Sequence, residues 1–195
     1  MAECRLSAVA VFEARVARVD GRLIYLGNMV LFRPVFSALE NQGARYVAVG
    51  GLAVVLHGFA RLTADIDLIL DLDPENARRA MGVLVAAGLV PRPPVDPFDF
   101  CDERIRRTWM EEKGMRVFSL WAPKNPMLEV DLFVESPIPF PELWARSVLV
   151  AAGDMSIRIA SIGDLIALKR MAGRAVDLED IEALTAIARK RGEDV

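Results

Sequence analysis

Histidine occurs once in the 195 residues, at His57, and cysteine twice, at Cys4 and Cys101. A single imidazole does not make a histidine-rich metal centre and argues against a Ser-His-Asp triad. Two distant cysteines without metal-ligand spacing indicate neither a disulfide framework nor a zinc site. Long apolar runs are also missing. Residues 47–60 and 81–90 fall short of the ~18 residues a membrane span needs, and His57 interrupts the first. Residues 6–12 are apolar, but Glu13 and Arg15 follow with no small-residue cleavage site. No signal peptide is therefore expected, and a cytoplasmic protein is. There is no excess of positive charge. The net charge of −3 offers no global basic field for nucleic acid, although a local basic groove stays compatible with it.

What is present suits one soluble domain, or one domain with a small helical appendage. The chain is 53% hydrophobic and 26% charged, ordinary globular proportions at this length. Residues 1–28 read ambiguously. A strand or helix over 8–19, a turn at Asp20-Gly21 and a strand over 22–26 would make an N-terminal hairpin. The alternative is an extension in front of a domain spanning 29–195.

Leu31, Val35 and Leu39 recur at four-residue spacing and predict a helix ending near Gly43. The apolar run from Tyr46 to Val49 predicts a strand that stops at Gly50-Gly51, where backbone can approach a ligand without a Cβ in the way. A short helix and a loop follow, and then a second strand that begins on Asp65 and Asp67. Alternation puts both carboxylates on one face, with Ile66, Leu68 and Leu70 on the other. Two like charges side by side repel unless a cation lies between them.

Asp73-Pro74 marks the start of a helix that reaches Gly88. Residues 91–97 are a proline-rich loop. Arg104, Arg106, Arg107, Lys113 and Arg116 form a local basic cluster, read as a solvated face or a contact for a polyanion. Strands over 117–121 and 127–134 flank a turn at 123–126. In the second, Glu129, Asp131 and Phe133 oppose an apolar face of Leu128, Val130, Leu132 and Val134. A carboxylate mid-strand needs a partner, which makes Asp131 a candidate third ligand and Glu129 its rival. Together with Asp65 and Asp67 such a residue could hold two divalent cations. A helical turn over 142–146 and a hairpin around Gly153-Asp154 come next. From about residue 161 the chain reads as helical: Ser161 with Asp164 forms a capping box, and Asp177 caps a last helix through Ile187.

Lysine is confined to Lys113, Lys124, Lys169 and Lys190. Lys169 continues the apolar seam of Ile162, Leu165 and Ile166, so it either snorkels to solvent or points into a cleft where it could meet a triphosphate. His57 reads as a packing or polar core residue, and Trp109, Trp121 and Trp144 as core or interface.

The order Gly50-Gly51, Asp65-Ile66-Asp67, Asp131 resembles the nucleotidyltransferase superfamily of the polymerase-β type. In particular it resembles the small prokaryotic (MNT-like) proteins related to AbiEii toxins. Arg61-Leu-Thr63-Ala-Asp65-Ile-Asp67 resembles the Arg-x-Ser/Thr-x-Asp-x-Asp form of that group, and residues 168–180 its lysine motif followed by an acidic one. The match runs from about residue 29 to 189. It departs at Gly51, where many active members carry a serine whose hydroxyl helps hold a phosphate.

The resemblance implies an α+β (α/β) fold, a mixed β-sheet flanked by helices with further helices at the C-terminus. It implies transfer of a nucleoside monophosphate from an NTP to an acceptor, an RNA or tRNA end or a protein hydroxyl. Two Mg²⁺ would be held by Asp65, Asp67 and Asp131, with Asp131 also drawing the acceptor's proton. Gly50, Gly51, Arg61, Thr63 and Lys169 would bind the nucleotide. Toxin-like members work beside a cognate antitoxin, and no membrane is involved. Two other readings compete. A catalytically silent nucleotide- or partner-binding module, an antitoxin or regulator, could use the same fold. Asp71-x-Asp73 after a strand also resembles the start of a haloacid-dehalogenase-type phosphatase or a metal-dependent glycosyltransferase, although Glu75 departs from the phosphatase pattern and Asp73-Pro74 suits a helix start better.

Overall fold

The computed structural model describes residues 16–19, 22–25, 29–152 and 155–195. Strands β1 (Val16–Val19) and β2 (Arg22–Tyr25) pair antiparallel, as the hairpin reading expects, although Asp20-Gly21 itself lies outside the described residues. The same holds for the turn expected at Gly153-Asp154.

The elements of the main body are, in chain order, α1 (Met29–Asn41), β3 (Tyr46–Ala48), α2 (Gly50–Leu56), β4 (Asp65–Leu70), α3 (Pro74–Ala86), β5 (Val90–Pro91), α4 (Glu103–Lys113), β6 (Val117–Ala122), β7 (Asn125–Phe133), α5 (Phe140–Arg146), β8 (Val148–Ala152), β9 (Met155–Ile159), α6 (Ile162–Ala172) and α7 (Ala175–Arg191). A 3-10 turn, Pro97–Cys101, precedes α4 and ends the proline-rich loop.

Seven of the described strands form one mixed sheet in the order β5-β6-β7-β4-β3-β9-β8. β4 is its centre, antiparallel to β3 and parallel to β7. Its sequence explains its place. Ile66, Leu68 and Leu70 are at most 1% exposed on one face, while on the other Asp65 and Asp67 give way to the buried Ile69. The carboxylate face is therefore open only at the start of the strand.

The helices cap as their sequences dictate. Asp73 accepts the amides of Glu75 and Asn76 at the start of α3, and Ser161 accepts that of Asp164 at the start of α6. α7 differs from the expectation. It begins two residues before Asp177 and runs on to Arg191, with Arg174 in the capping position. The Asp177 carboxylate is not free to cap because two cations hold it.

α3 packs on α1 and on β4, α2 lies on β4 and against α6, and α6 pairs with α7. The core runs through all of these and ends in a ring stack of Trp109 on Phe118, with centroids 5.1 Å apart. The guanidinium groups of Arg45 and Arg158 both pack over the Trp144 ring, at 4.8 and 4.1 Å from its centroid.

Candidate active site

Parallel pairing of β4 with β7 sets Asp67 directly opposite Asp131 and Asp65 opposite Glu129. Asp65, Asp67 and Asp131 each offer an oxygen, and these atoms lie within 4.8 Å of one another. Among the described residues this is the one acidic cluster with metal-binding geometry. Burial first, and then the charges of Asp65 and Asp131, push the Asp67 carboxyl from the ordinary 3.8 up to about 7. Burial also raises the Asp131 carboxyl, against a hydrogen bond from Ser119, its cross-strand neighbour on β6, that pulls it down. The other Asp131 oxygen, Oδ1, is buried without a hydrogen-bond partner. Buried oxygens are almost always satisfied, so an orphan on a member of the carboxylate cluster is consistent with a place for a cation. The all-oxygen donor set suits Mg²⁺.

Asp131 and Glu129 differ in their surroundings through a residue outside both strands. Arg92, just beyond β5, grips Glu129 through two bonds of 2.8 and 2.9 Å and holds its carboxyl low. Glu129 is thereby neutralised on the sheet surface and Asp131 is left for the cluster.

The glycine pair lies against the carboxylates. The Val49 amide donates to the Asp67 carbonyl at 2.9 Å, which brings Gly50 beside that aspartate. Gly50 has φ +63°, and a Cβ there would lie 1.8 Å from Asp67 Oδ2. Only glycine fits, on both backbone and steric grounds. At Gly51 a Cβ would lie 2.7 Å from the Thr63 hydroxyl and 3.4 Å from the Arg61 guanidinium carbon. The hydroxyl that the glycine lacks thus has a neighbour in its place. Thr63 Oγ1 occupies the space a serine at 51 would need, and it reaches Asp65 Oδ1 at 3.3 Å.

These residues open onto a cavity of about 570 Å³, within the usual range for small-molecule sites. Its lining includes Gly50, Gly51, Arg61, Asp65, Asp67, Asp131 and Lys169, so the structure gathers the sequence-derived candidates, with Thr63 directly behind Gly51. Lys169 faces the cavity from α6, as the cleft reading of the seam expects, but its ammonium is not free. It donates to Asp177 at 3.0 Å and Asp180 at 2.5 Å. Arg61 also bonds Asp180, and Arg174 bonds Asp177 at 2.8 Å. Arg174 hydrogen bonding first, with Lys169 helping, holds the Asp177 carboxyl down to about 2. Arg174 and Ser119 carry no signal of their own in the sequence, whereas Asp180 lies in the acidic motif that follows Lys169. The three-residue spacing of Asp177 and Asp180 puts both on one face of α7, with Arg174 at its capping position.

Of the other candidates, Arg116 alone lines the cavity. His57 is buried, with Nε2 2.8 Å from the Ala160 carbonyl, and burial lowers its pKa. It is the polar core residue expected. Asp73 is spent on the α3 cap, and Asp71 pairs with Arg45 at 2.7 Å, so that pair forms no phosphatase site. The basic cluster also dissolves in part. Arg106 is buried, donating to the carbonyls of Val134 and Phe100. Arg107 pairs with Glu103, and Arg116 with Glu135. No helix among the described residues is long and apolar enough to cross a membrane.

Known proteins give this arrangement a context. The structure is similar to that of ANT(2″)-Ia in complex with adenylyl-2″-tobramycin, with a TM-score of 0.55 and 12% identity over 84% of this chain and 91% of that one. It is also similar to the lincomycin-bound lincosamide antibiotic adenylyltransferase LnuA, with a TM-score of 0.54 and 19% identity over 80% of this chain and 95% of that one. At these identities the likeness concerns the fold, and it carries the expected mixed sheet flanked by helices. No curated protein matches the sequence. A family profile described as "Nucleotidyltransferase of unknown function (DUF6036)" matches residues 34–190, most of the chain and all of the cavity, and the chain therefore belongs to that nucleotidyltransferase family.

Proposed function

We propose that the protein transfers a nucleoside monophosphate from an NTP to an acceptor hydroxyl, releasing pyrophosphate, in a reaction that depends on Mg²⁺. The observation that carries this reading is the convergence of three carboxylates, one with an orphaned buried oxygen, against a glycine that admits no side chain. A silent binding module has no need of such strained like charges, which is why turnover is favoured over the antitoxin or regulator reading.

Asp65, Asp67 and Asp131 would hold Mg²⁺, two ions in this family's chemistry, which neutralise phosphate oxygens and make the acceptor hydroxyl more acidic. Gly50 and Gly51 let the triphosphate approach the backbone. Thr63 steadies Asp65. Arg61 and Lys169, joined by Arg174, meet the phosphate charge from the cavity lining. The acceptor oxygen bonds to the α-phosphorus as the bond to the β-phosphate oxygen breaks, and its proton passes to Asp131. Positioning and electrostatics supply most of the rate.

For the acceptor, the internal pairing of Arg106, Arg107 and Arg116 weakens the case for a broad RNA surface. The similar structures carry an adenylylated aminoglycoside and a lincosamide, which brings a small hydroxylated acceptor alongside a tRNA end or a protein hydroxyl. Incubation with labelled NTPs, Mg²⁺ and, separately, total RNA, total protein or hydroxylated antibiotics distinguishes them. Label should enter one fraction with the wild type and none with Asp65→Asn; equal labelling by that variant overturns the proposal. An RNA or protein acceptor also predicts growth arrest on induction, relieved by a cognate antitoxin.

A further inference from the structure

Beside the triad, the charged part of the cavity lining is backed by a second row of charges. In front stand the cations Arg61, Lys169 and Arg174, all lining the cavity. Behind them, outside the lining, Asp177 and Asp180 are 1% and 2% exposed. Asp180 Oδ2 takes both the Lys169 ammonium at 2.5 Å and the Arg61 guanidinium. Asp177 Oδ1 takes Lys169 at 3.0 Å and Arg174 at 3.1 Å. Every cation of the front row is therefore tied to a carboxylate of one helix, α7. The three cations come from three different places: the loop before β4, the helix α6, and the position preceding α7.

Burying charges this thoroughly is costly, and apolar residues of similar volume would join α6 to α7 as well or better. What they would not do is fix three positive groups at the cavity lining. Counted together the two rows carry one net positive charge, turned towards the cavity. Both Asp177 oxygens and Asp180 Oδ2 are already taken by cations, which sets this pair apart from the triad.

We infer that Asp180, assisted by Asp177, is a positioning residue for phosphate binding: it holds Arg61 and Lys169 at the spacing that receives the β- and γ-phosphates of the nucleotide. This rests on the nucleotidyl-transfer reading above. Asp180 spans the gap between the loop that leads into Asp65 and the helix that carries Lys169. It thereby fixes the spacing between Arg61 and Lys169. A residue acting this way governs selectivity for a triphosphate over a monophosphate, whereas mere structural support governs both ligands alike.

The test is calorimetric titration in Mg²⁺ with ATP, GTP, CTP and UTP, followed by the monophosphate of whichever binds best, with melting followed in parallel. Asp180→Asn should weaken triphosphate binding at least tenfold and monophosphate binding less than threefold. Asp180→Glu keeps the charge and serves if the asparagine variant does not fold. Its longer arm displaces both cations, and a selective triphosphate loss of threefold or more is expected. Equal losses for the two ligands, or no loss, overturn the inference while leaving the functional reading intact. A wild type that binds none of the triphosphates overturns both.

Discussion

Replacing Asp67 by asparagine should make the metal-free protein more stable while abolishing its activity. The Asp67 carboxyl is pushed from the ordinary 3.8 to about 7, first by burial and then by Asp65 and Asp131. A carboxyl raised in the folded state contributes stability that is complete below about pH 4 and is lost as the pH rises through about 7. The interval corresponds to roughly 4 kcal/mol at pH 8, taken as an order of magnitude. For a chain of this size each kcal/mol moves the melting temperature by about 2–4 °C, so a shift on the order of 10 °C is in play. Melting should be followed in chelator at pH 5 and pH 8, and then with millimolar Mg²⁺. In chelator, Asp67→Asn should already melt a few degrees above wild type at pH 5, where part of the interval between 3.8 and about 7 has been crossed, and further above it at pH 8. Mg²⁺ should raise the wild type at pH 8 and leave the variant almost unmoved. A variant that is less stable in chelator at pH 8, or a wild type whose melting ignores Mg²⁺, would refute the like-charge account of the site.

Gly50→Ala should lose activity by at least a hundredfold in a labelling assay, since its Cβ would fall 1.8 Å from Asp67 Oδ2 at a φ of +63°. Gly51→Ser should lower activity too, because its Cβ meets the Thr63 hydroxyl; a gain would show that space to be open. Asp131→Asn should cost a hundredfold or more in kcat and Glu129→Gln less than about threefold, so a reversed order in steady-state rates would put the third ligand at Glu129. Asp73→Ala should cost about 1 kcal/mol of stability in denaturant unfolding through the lost α3 cap and leave transfer unchanged. Asp177 is held low, so its contribution is present above about pH 4 and lost as the pH falls towards 2; acid titration of Asp177→Asn should show a shallower loss of stability over that interval.

Local pattern alone determined much of this protein. Two-residue alternation put Asp65 and Asp67 on one face of a strand, and a glycine pair closing an apolar run marked a backbone that must approach something closely. Helix ends at Gly43, Gly88 and Gly173 were legible because a left-handed residue leaves its signature in the residue itself, and all three have positive φ. The tertiary structure decided what depends on residues far apart in the chain. Asp131 rather than Glu129 joins the triad because β7 runs parallel to β4 in one register and because Arg92 reaches across to take Glu129. Neither fact leaves a trace at positions 129 or 131. Arg106 looked like part of a basic face because charge is read from composition, yet the fold buries it on two carbonyls. Lys169 could be placed on a seam but not assigned a partner, since its carboxylates lie eight and eleven residues on, across the break between α6 and α7. Periodicity reports which face a side chain occupies. Which charge it meets there is set by long-range packing, and in this protein that packing decides where the cavity is negative and where it is positive.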